Sequence, residues 1–586
     1  FLGLIKTLIP PAKQFQTYSE ELKDIKWINI AGIKLDRALL PNSTQADWQR
    51  EAAFIMENLT DAAIDKAFKA LPAETQNAQL DGVKADLKAR RQTLADIAQR
   101  YYEHLNSLVI LKGTDKDDHF EITREDAGTR VQISRIKDGE VQTPFVDRLM
   151  TKDITKELWI YGLDDDDTFR VSGKGKKPIF TRIIGGQNND VYTIEDGRKV
   201  KIHEHKTKPN TYVKAGSANI KKSNIYVHNT YDFNKGIVKS NTILPSLGAN
   251  PDDGFFVGLQ DTYTIKGFKN DPFYRKHMFK AGYYFATQGF DISYQGNFSN
   301  AFGKWDLVLG ARATNESYAR NFFGLSNESV NLDDTLGLDY NRVRTGNYSV
   351  ELGAQHDDSF GSVFHIKSML QFVEVQESLE RFISNDFIAP TPDYFEGQTF
   401  AGVEGGYAYL NADNPANPST GMDFKLKVGS KVNLDDTDRI YGYILPSLGF
   451  YNALSRNKKL VLKTLFQGQV NVGDSFEFYQ AAAIGGRNGL RGYRNERFTG
   501  ESSFVASGDI RYSFNRMKTG LLPIQIGIYG GGDVGRVWND GEDSDRWHND
   551  YGGGFWINAV EMMSGQFGLF TGEDGLRFAF GIGVKL

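Results

Sequence analysis

From about residue 254 to the C-terminus the chain consists of strand-length segments in which apolar and polar residues alternate, with no helical period between them. In FDISYQGNF, Phe290, Ile292, Tyr294 and Phe298 fall on one side, and Asp291, Ser293, Gln295 and Asn297 on the other. KWDLVLGAR sets Trp305, Leu307 and Leu309 against Asp306 and Arg312, and GMDFKLKVGSK sets Phe424, Leu426 and Val428 against Asp423, Lys425 and Lys427. A soluble sandwich alternates too, so repetition and length decide. About fifteen such segments, many about ten residues long, follow one another in about 330 residues, and aromatic residues recur near their ends, as in a transmembrane barrel. Only a closed barrel satisfies every backbone group in lipid. Bacterial barrels have an even strand count, so sixteen strands are expected, the least legible one around residues 240–247.

Hydropathy does not oppose this reading. The mean hydropathy is -0.44, and no apolar run approaches the roughly 18 residues of a membrane helix. Alternating barrel strands average out to a soluble-looking value. The net charge of -5 gives no reason to expect a nucleic-acid partner. Cysteine is absent, which excludes a disulfide framework, a thiolate metal site, a catalytic thiol and a lipid-anchored N-terminal Cys. The chain opens FLGLIKTLIPPAK, without Met or a recognisable export signal. An exported barrel needs that signal, so Phe1 is expected to begin a mature form or a fragment.

Two other zones precede the barrel. Residues 1–108 read as a helical region. In NSTQADWQREAAFIMENL, Ser43 or Thr44 can cap a helix whose Trp48, Ala52, Ile55, Met56 and Leu59 share a face. Thr60-Asp61 starts another helix, stopped by Pro72, and Leu87, Leu94, Ile97, Tyr101 and Leu105 continue the amphipathic spacing. Residues 109–235 switch to period two. GTDKDDHFEI from Gly113, GLDDDDTFRV from Gly162 and GGQNNDVYTI from Gly185 align without gaps, an internal turn-plus-strand repeat that predicts a β-roll or stacked meander. GGQNND resembles the calcium repeats of RTX proteins, although Asn188 stands where that pattern has a glycine. Asp164, Asp165, Asp166, Asp167 and Asp190 are therefore the candidate calcium ligands, against the plainer reading of solvated acidic turns. No other cofactor is expected. His203 and His205, among lysines in KIHEHKTK, read as surface histidines.

Residues 236–586 are the expected barrel, and one stretch of it carries chemistry. AIGGRNGLRGYRNERFTG, from Ala483 to Gly500, crowds glycines around arginines. Such a loop can pack closely against a wall, and a guanidinium fork pairs best with a carboxylate. In the next strand, Phe504, Ala506, Ile510 and Tyr512 form the apolar face, which turns Ser507, Asp509 and Arg511 inward. In LLPIQIGIYGGGDVGRVW, Ile524, Ile526 and Ile528 face out and Asp533 has inward parity. A loop tucked into the barrel would present Arg491 to Asp509, Asp533 or both.

Leu490-Arg491-Gly492-Tyr493 resembles the (V/L)RG(F/Y) signature of the sixth loop of the BamA/TamA superfamily of outer-membrane barrels. Gly531 to Trp538, GGDVGRVW, is similar to its FxDxGxVW strand, with Asp533, Gly535, Val537 and Trp538 in place and Gly531 where an aromatic is usual. RFAFGIGVKL looks like the closing strand, through Phe578, Phe580, Ile582, Val584 and Leu586, the last at a usual aromatic position. The resemblance implies that Asp533 pairs with Arg491, that these residues hold the loop rather than catalyse, and that the barrel inserts or translocates other proteins. It implies a seam between first and last strands, expected at Gly254–Ile265 and Gly575–Leu586, that opens to an incoming strand. Outer-membrane lipid, client outer-membrane proteins and periplasmic or lipoprotein accessory subunits are the partners it implies, with the N-terminal regions in the periplasm.

The resemblance leaves residues 1–235 uncovered, and the family's POTRA repeats cannot be laid on them. NPDDGFFVG, NFFGLSNES and the aspartate turns look like a subgroup whose barrel follows a calcineurin-type metallophosphoesterase. The DxH and GNHD metal motifs of that enzyme do not occur here, so a phosphoesterase would lie before Phe1. The alternatives to an assembly barrel are thus an anchor for such an enzyme and a passive pore.

Overall fold

A computed structural model describes residues 13–14, 16–268, 273–358, 360–387, 393–415, 417–473, 475–519, 523–559 and 563–583. Contacts divide the chain into two units: residues 3–239 with 265–273, and residues 240–264 with 274–586.

The first unit begins with helices. Thr44 is the cap of Gln45–Asn58, in a capping box with Asp47, and Thr60 caps Asp61–Lys69. The long amphipathic stretch breaks at Thr93 into Ala78–Gln92 and Leu94–Asn106. Ala52, Ile64, Tyr101 and Leu105 are buried, whereas Ile55 and Leu59 are exposed. The buried stripe of Gln45–Asn58 is thus narrower than its apolar spacing.

A roll of parallel strands follows, alternating between two sheets. One sheet pairs Leu108–Lys112, Glu157–Leu163, Phe180–Gly186, Val200–His205 and Asn219–Ser223 in that order. The other stacks Asp118–Arg124, Thr168–Gly173, Val191–Ile194 and Thr211–Lys214. Leu158, Ile160, Ile183 and Ile202 face Phe120, Phe169 and Tyr192 across the core. The repeats stand on top of one another. Phe120, Phe169, Tyr192 and Tyr212 stack with centroids 4.5, 5.1 and 5.3 Å apart.

Beside this aromatic stack runs a ladder of buried carboxylates. Asp118 N–H donates to Asp167 Oδ1 at 2.8 Å, Asp167 N–H to Asp190 Oδ1 at 2.9 Å, and Asp190 N–H to Asn210 Oδ1 at 2.7 Å. Residues 205–214 are therefore a fourth repeat, with Asn210 and Tyr212 at the rung positions. Burial pushes the Asp167 carboxyl up to about 9. Burial also raises Asp190, to about 7, and Glu204, to about 8, the latter reinforced by the neighbouring Asp190 charge. The Tyr192 hydroxyl donates to Glu204. A Cβ on Gly185 would lie 2.1 Å from Asp190 Oδ2 and 2.3 Å from Glu204 Oε1, so the repeat's glycine leaves room for these oxygens.

Two sequence expectations change here. Asp167 and Asp190, offered as calcium ligands, each give Oδ1 to the backbone ladder, while Asp164 and Asp166 stay exposed and Asp165 lies 3.8 Å from Lys116. Among the described residues no three His, Asp or Glu side chains are grouped so as to hold a metal ion. His203 is buried rather than superficial, 2% exposed and 4.2 Å from the Phe268 ring. Its strand is covered on both faces, so the flanking lysines mislead.

The second unit is a closed antiparallel barrel. Its sixteen long strands are Val238–Asn250, Gly254–Lys266, Arg275–Tyr284, Gly289–Phe302, Trp305–Thr314, Arg342–Asp357, Ser362–Val375, Gln398–Ala412, Gly421–Asn433, Ile440–Ala453, Leu460–Val472, Ser502–Ser513, Pro523–Trp538, His548–Ala559, Met563–Gly572 and Gly575–Gly583. Outward side chains such as Leu352, Ile366, Val403 and Ile510 are more than half exposed, the apolar face a lipid solvent would cover. Inward ones are polar: Lys367 reaches Glu351 at 3.1 Å and Glu404 at 3.3 Å, beside a lumenal cavity of about 710 Å³. The long connections, 315–341, 376–397 and 473–501, all lie at one end of the barrel; the opposite end carries shorter turns.

The strand sought around residues 240–247 is Val238–Asn250, and it changes the seam. This strand, not Gly254–Lys266, pairs with the last strand, through Leu247↔Ile582, Gly248↔Gly581 and Ala249↔Phe580. Val584 and Leu586 of the expected closing strand lie outside the described residues.

Candidate functional site: an arginine loop in the barrel

The residues between strands Leu460–Val472 and Ser502–Ser513 fold back against the barrel wall. A short ribbon, Ala482–Ile484 with Phe498–Gly500, closes the loop's base. Ile484, Leu490, Tyr493 and Phe498 then pack on Val505 and Val537 from the two following strands. Gly492 is forced by proximity: a Cβ there would lie 2.7 Å from Asp550 Cβ and 2.8 Å from Gly572 N.

With its neighbours seated, Arg491 has one direction left, toward the wall acids. Its Nε donates to Asp533 Oδ2 and its Nη2 to Asp533 Oδ1, both at 2.8 Å. Nη2 and Nη1 also reach the two Asp509 oxygens, at 2.8 and 3.2 Å. The Arg491 backbone N–H adds a bond to Asp533 Oδ2 at 3.1 Å. The guanidinium lies 4.0 Å from the Phe570 ring centroid, a stacking arrangement Arg favours. Asp533 is fully buried and Asp509 nearly so.

Both acids that strand parity turned inward therefore meet the loop arginine, each in a two-pronged contact. Gly531 explains why two fit. A Cβ at this position would lie 2.3 Å from Asp509 Oδ1 and 2.1 Å from Gly508 O. The glycine standing where the resemblance has an aromatic thus makes room for the second carboxylate. Of the strand signature, Gly535 and Val537 pack under the loop, whereas Trp538 is partly exposed and stands 6.1 Å from Trp547. In the closing strand, Leu576 and Phe578 are exposed on the outer face.

Parity alone misses a third acid. Asp550, buried and directly across from Asp533 in the sheet register, accepts the Gly492 N–H at 2.9 Å. One guanidinium thus sits among three carboxylates. The signal available was the strand HNDYGGGF, whose inward acid lies opposite that of its neighbour once the register is known. The other arginines of the loop are also paired: Arg487 with Asp253, Arg494 with Asp252 and Asp333, and Arg497 with Asp574. The constellation carries no nucleophile–base pair. Its chemistry is the fixing of one loop to one wall.

A closed sixteen-stranded antiparallel barrel with a loop arginine anchored on inward strand acids defines the class, that of an outer-membrane β-barrel. Residues 304–586, most of the barrel, match the model of the Omp85 superfamily domain, the superfamily of BamA/TamA-type proteins. No curated protein matches the chain by sequence. Among solved structures, BamA from Haemophilus ducreyi lacking POTRA domains 1-3 is similar, with 12% identity and a TM-score of 0.43 over 59% of this chain and 70% of that one. CdiB from Acinetobacter baumannii is similar with 13% identity and a TM-score of 0.40, over 59% of each chain. CdiB from Escherichia coli is similar with 11% identity and a TM-score of 0.41, over 58% of this chain and 62% of that one.

Proposed function

We propose that this barrel inserts or translocates client proteins at the outer membrane, and that the seam between its first and last strands parts to admit a client strand. The observation that carries the reading is the pair of facing glycines in the seam. Among the described residues Val238–Asn250 meets Gly575–Gly583 through Leu247↔Ile582, Gly248↔Gly581 and Ala249↔Phe580. The central pair is Gly248 facing Gly581, and interior glycine weakens a strand. An edge exposed there offers its backbone groups to an incoming strand. Arg491, Asp509 and Asp533 hold the barrel's shape while the seam works. The end with short turns, where the chain enters and leaves the barrel, faces the periplasm in this reading, and the N-terminal unit lies there with accessory subunits. Client proteins and lipid are the other partners.

The test uses the absence of native cysteine. Leu247→Cys with Ile582→Cys, a directly opposed pair, is oxidised in lipid vesicles that also receive an unfolded outer-membrane barrel as client. Oxidation should stop client insertion, read as the heat-modifiable folded band, and reduction should restore it. Insertion at the uncrosslinked rate through an oxidised seam would refute the reading.

A further inference from the structure

Ion pairs as well as strand pairing join the two sides of the seam. At the long-loop end, the seam is flanked by two hairpin turns: residues 251–253 after the first strand and 573–574 before the last. One loop, 473–501, holds both. Arg494, fully buried, donates through Nε to Asp252 Oδ1 at 2.6 Å, and the neighbouring Asn495 N–H donates to Asp252 Oδ2 at 2.9 Å. Arg487 grips the adjacent Asp253. On the other side of the seam, Arg497 Nε reaches Asp574 Oδ2 at 3.1 Å while its Nη2 donates to Ser329 O at 2.8 Å.

A third connection crosses directly. Arg494 also pairs with Asp333, and Asp333 lies 3.4 Å from Arg577, a residue of the last strand itself. Asp252, Arg494, Asp333 and Arg577 form a continuous chain of alternating charge from the first hairpin to the last strand. Its inner members are well shielded: the side chains of Arg494, Asp252, Asp333 and Arg577 are 0, 7, 13 and 12% exposed. Ion pairs this dry are screened little by salt.

We propose that loop 473–501 is a lock on the long-loop end of the seam, with Arg494 as its positioning residue, so that the seam parts from the short-turn end and pivots on the charge chain. The proposal rests on the reading of the seam as the working edge and specifies its regulation. Anchored turns keep Gly248 and Gly581 near one another while the backbone of residues 238–246 becomes available. A client strand then pairs from the short-turn end toward the pivot. Full parting requires the loop to release the first hairpin, at Asp252 and Asp253, or the last hairpin and strand, at Asp574 and Asp333.

Hydrogen exchange on the full chain in lipid nanodiscs, without client, tests the lock. In the unmodified protein, residues 238–246 should exchange at least ten-fold faster than residues 247–256 and 575–582. Arg494→Gln should raise exchange in those two protected segments about ten-fold and leave residues 342–375 unchanged. Arg497→Gln, which removes the anchor on the last hairpin, should do the same and serves if the first variant does not fold. Uniform exchange along the first strand, no effect of either variant, or a rise spread over the whole barrel would overturn the proposal. The functional reading fails separately. If the oxidised Leu247–Ile582 pair still inserts clients while exchange behaves as expected, the lock stands and the client-insertion role falls. A blocked client with unchanged exchange removes the lock alone.

Discussion

Replacing Arg491 with Met removes one cation from among three carboxylates and keeps most of the side-chain volume. Four side-chain hydrogen bonds to Asp509 and Asp533 disappear, and both acids stay buried with Asp550 close by. Breaking a buried pair on one side costs about 3–5 kcal/mol, because the remaining charge is uncompensated. Here more than one charge remains, which places the expectation at the upper part of that range. At about 1.4 kcal/mol per decade, the folded-to-unfolded ratio falls by roughly two to three and a half decades. The three acids do not contribute alike. Asp533 receives two guanidinium bonds and the Arg491 backbone N–H, so Asp533→Asn should cost about 2–3 kcal/mol as a hydrogen-bonded charge partner. Asp509→Asn drops a charge from an acid excess and leaves Arg491 fully engaged by Asp533, so it should cost under about 1 kcal/mol. Arg491→Lys should recover little, since an ammonium cannot fork to both acids. Urea unfolding in lipid vesicles, followed by heat-modifiable mobility, measures all four. If Arg491→Met costs less than about 1 kcal/mol, the value of a surface pair, or if Asp509→Asn costs more than Asp533→Asn, the reasoning is wrong.

Further expectations concern other parts of the chain. Gly531→Phe, which installs the aromatic that the superfamily resemblance leads one to expect, should destabilise the barrel by about 1–3 kcal/mol through overpacking against Asp509; equal or higher stability in the same urea series would contradict the steric account. The roll should become more stable as pH falls. Asp167, Asp190 and Glu204 have folded values of about 9, 7 and 8, above their unfolded ones, so the stability they contribute is complete below about pH 4 and is lost as pH rises through 7 to 9. Urea midpoints of peptides within residues 157–214, read by hydrogen exchange at fixed pH values from 5 to 9, should fall with pH. Asp190→Asn should flatten that slope, and a midpoint rising with pH would refute the assignment.

What the sequence made legible follows from how far each signal reaches. Period-two alternation set lipid face against lumen in Phe290 to Phe298, and it aimed Asp509 and Asp533 inward without any knowledge of pairing. Asp550 escaped because its role depends on register with the neighbouring strand, which no single segment contains. The first strand, VKSNTILPSLGAN, carries Pro245 and too little alternation to be recognised, so the seam fell one hairpin late. The fourth turn of the roll escaped because His205 replaces the repeat's glycine and Asn210 its aspartate. Asp252, Asp253, Asp333 and Asp574 lie in turns where acids are ordinary. Only the folded-back loop converts them into partners for Arg487, Arg494 and Arg497.

The carboxylate ladder of the roll has a direction. Asp167, Asp190 and Asn210 each receive the N–H of the rung before, so every added Asp turn would bury another carboxyl beside the stack. Asn210 ends the series with an oxygen that accepts the same bond and carries no charge. Each further acid rung would add a carboxyl whose charged form burial disfavours. Lengthening the stack by copying a turn before Asn210 would make the domain more acid-loving with each copy, while copying Asn210 itself would not.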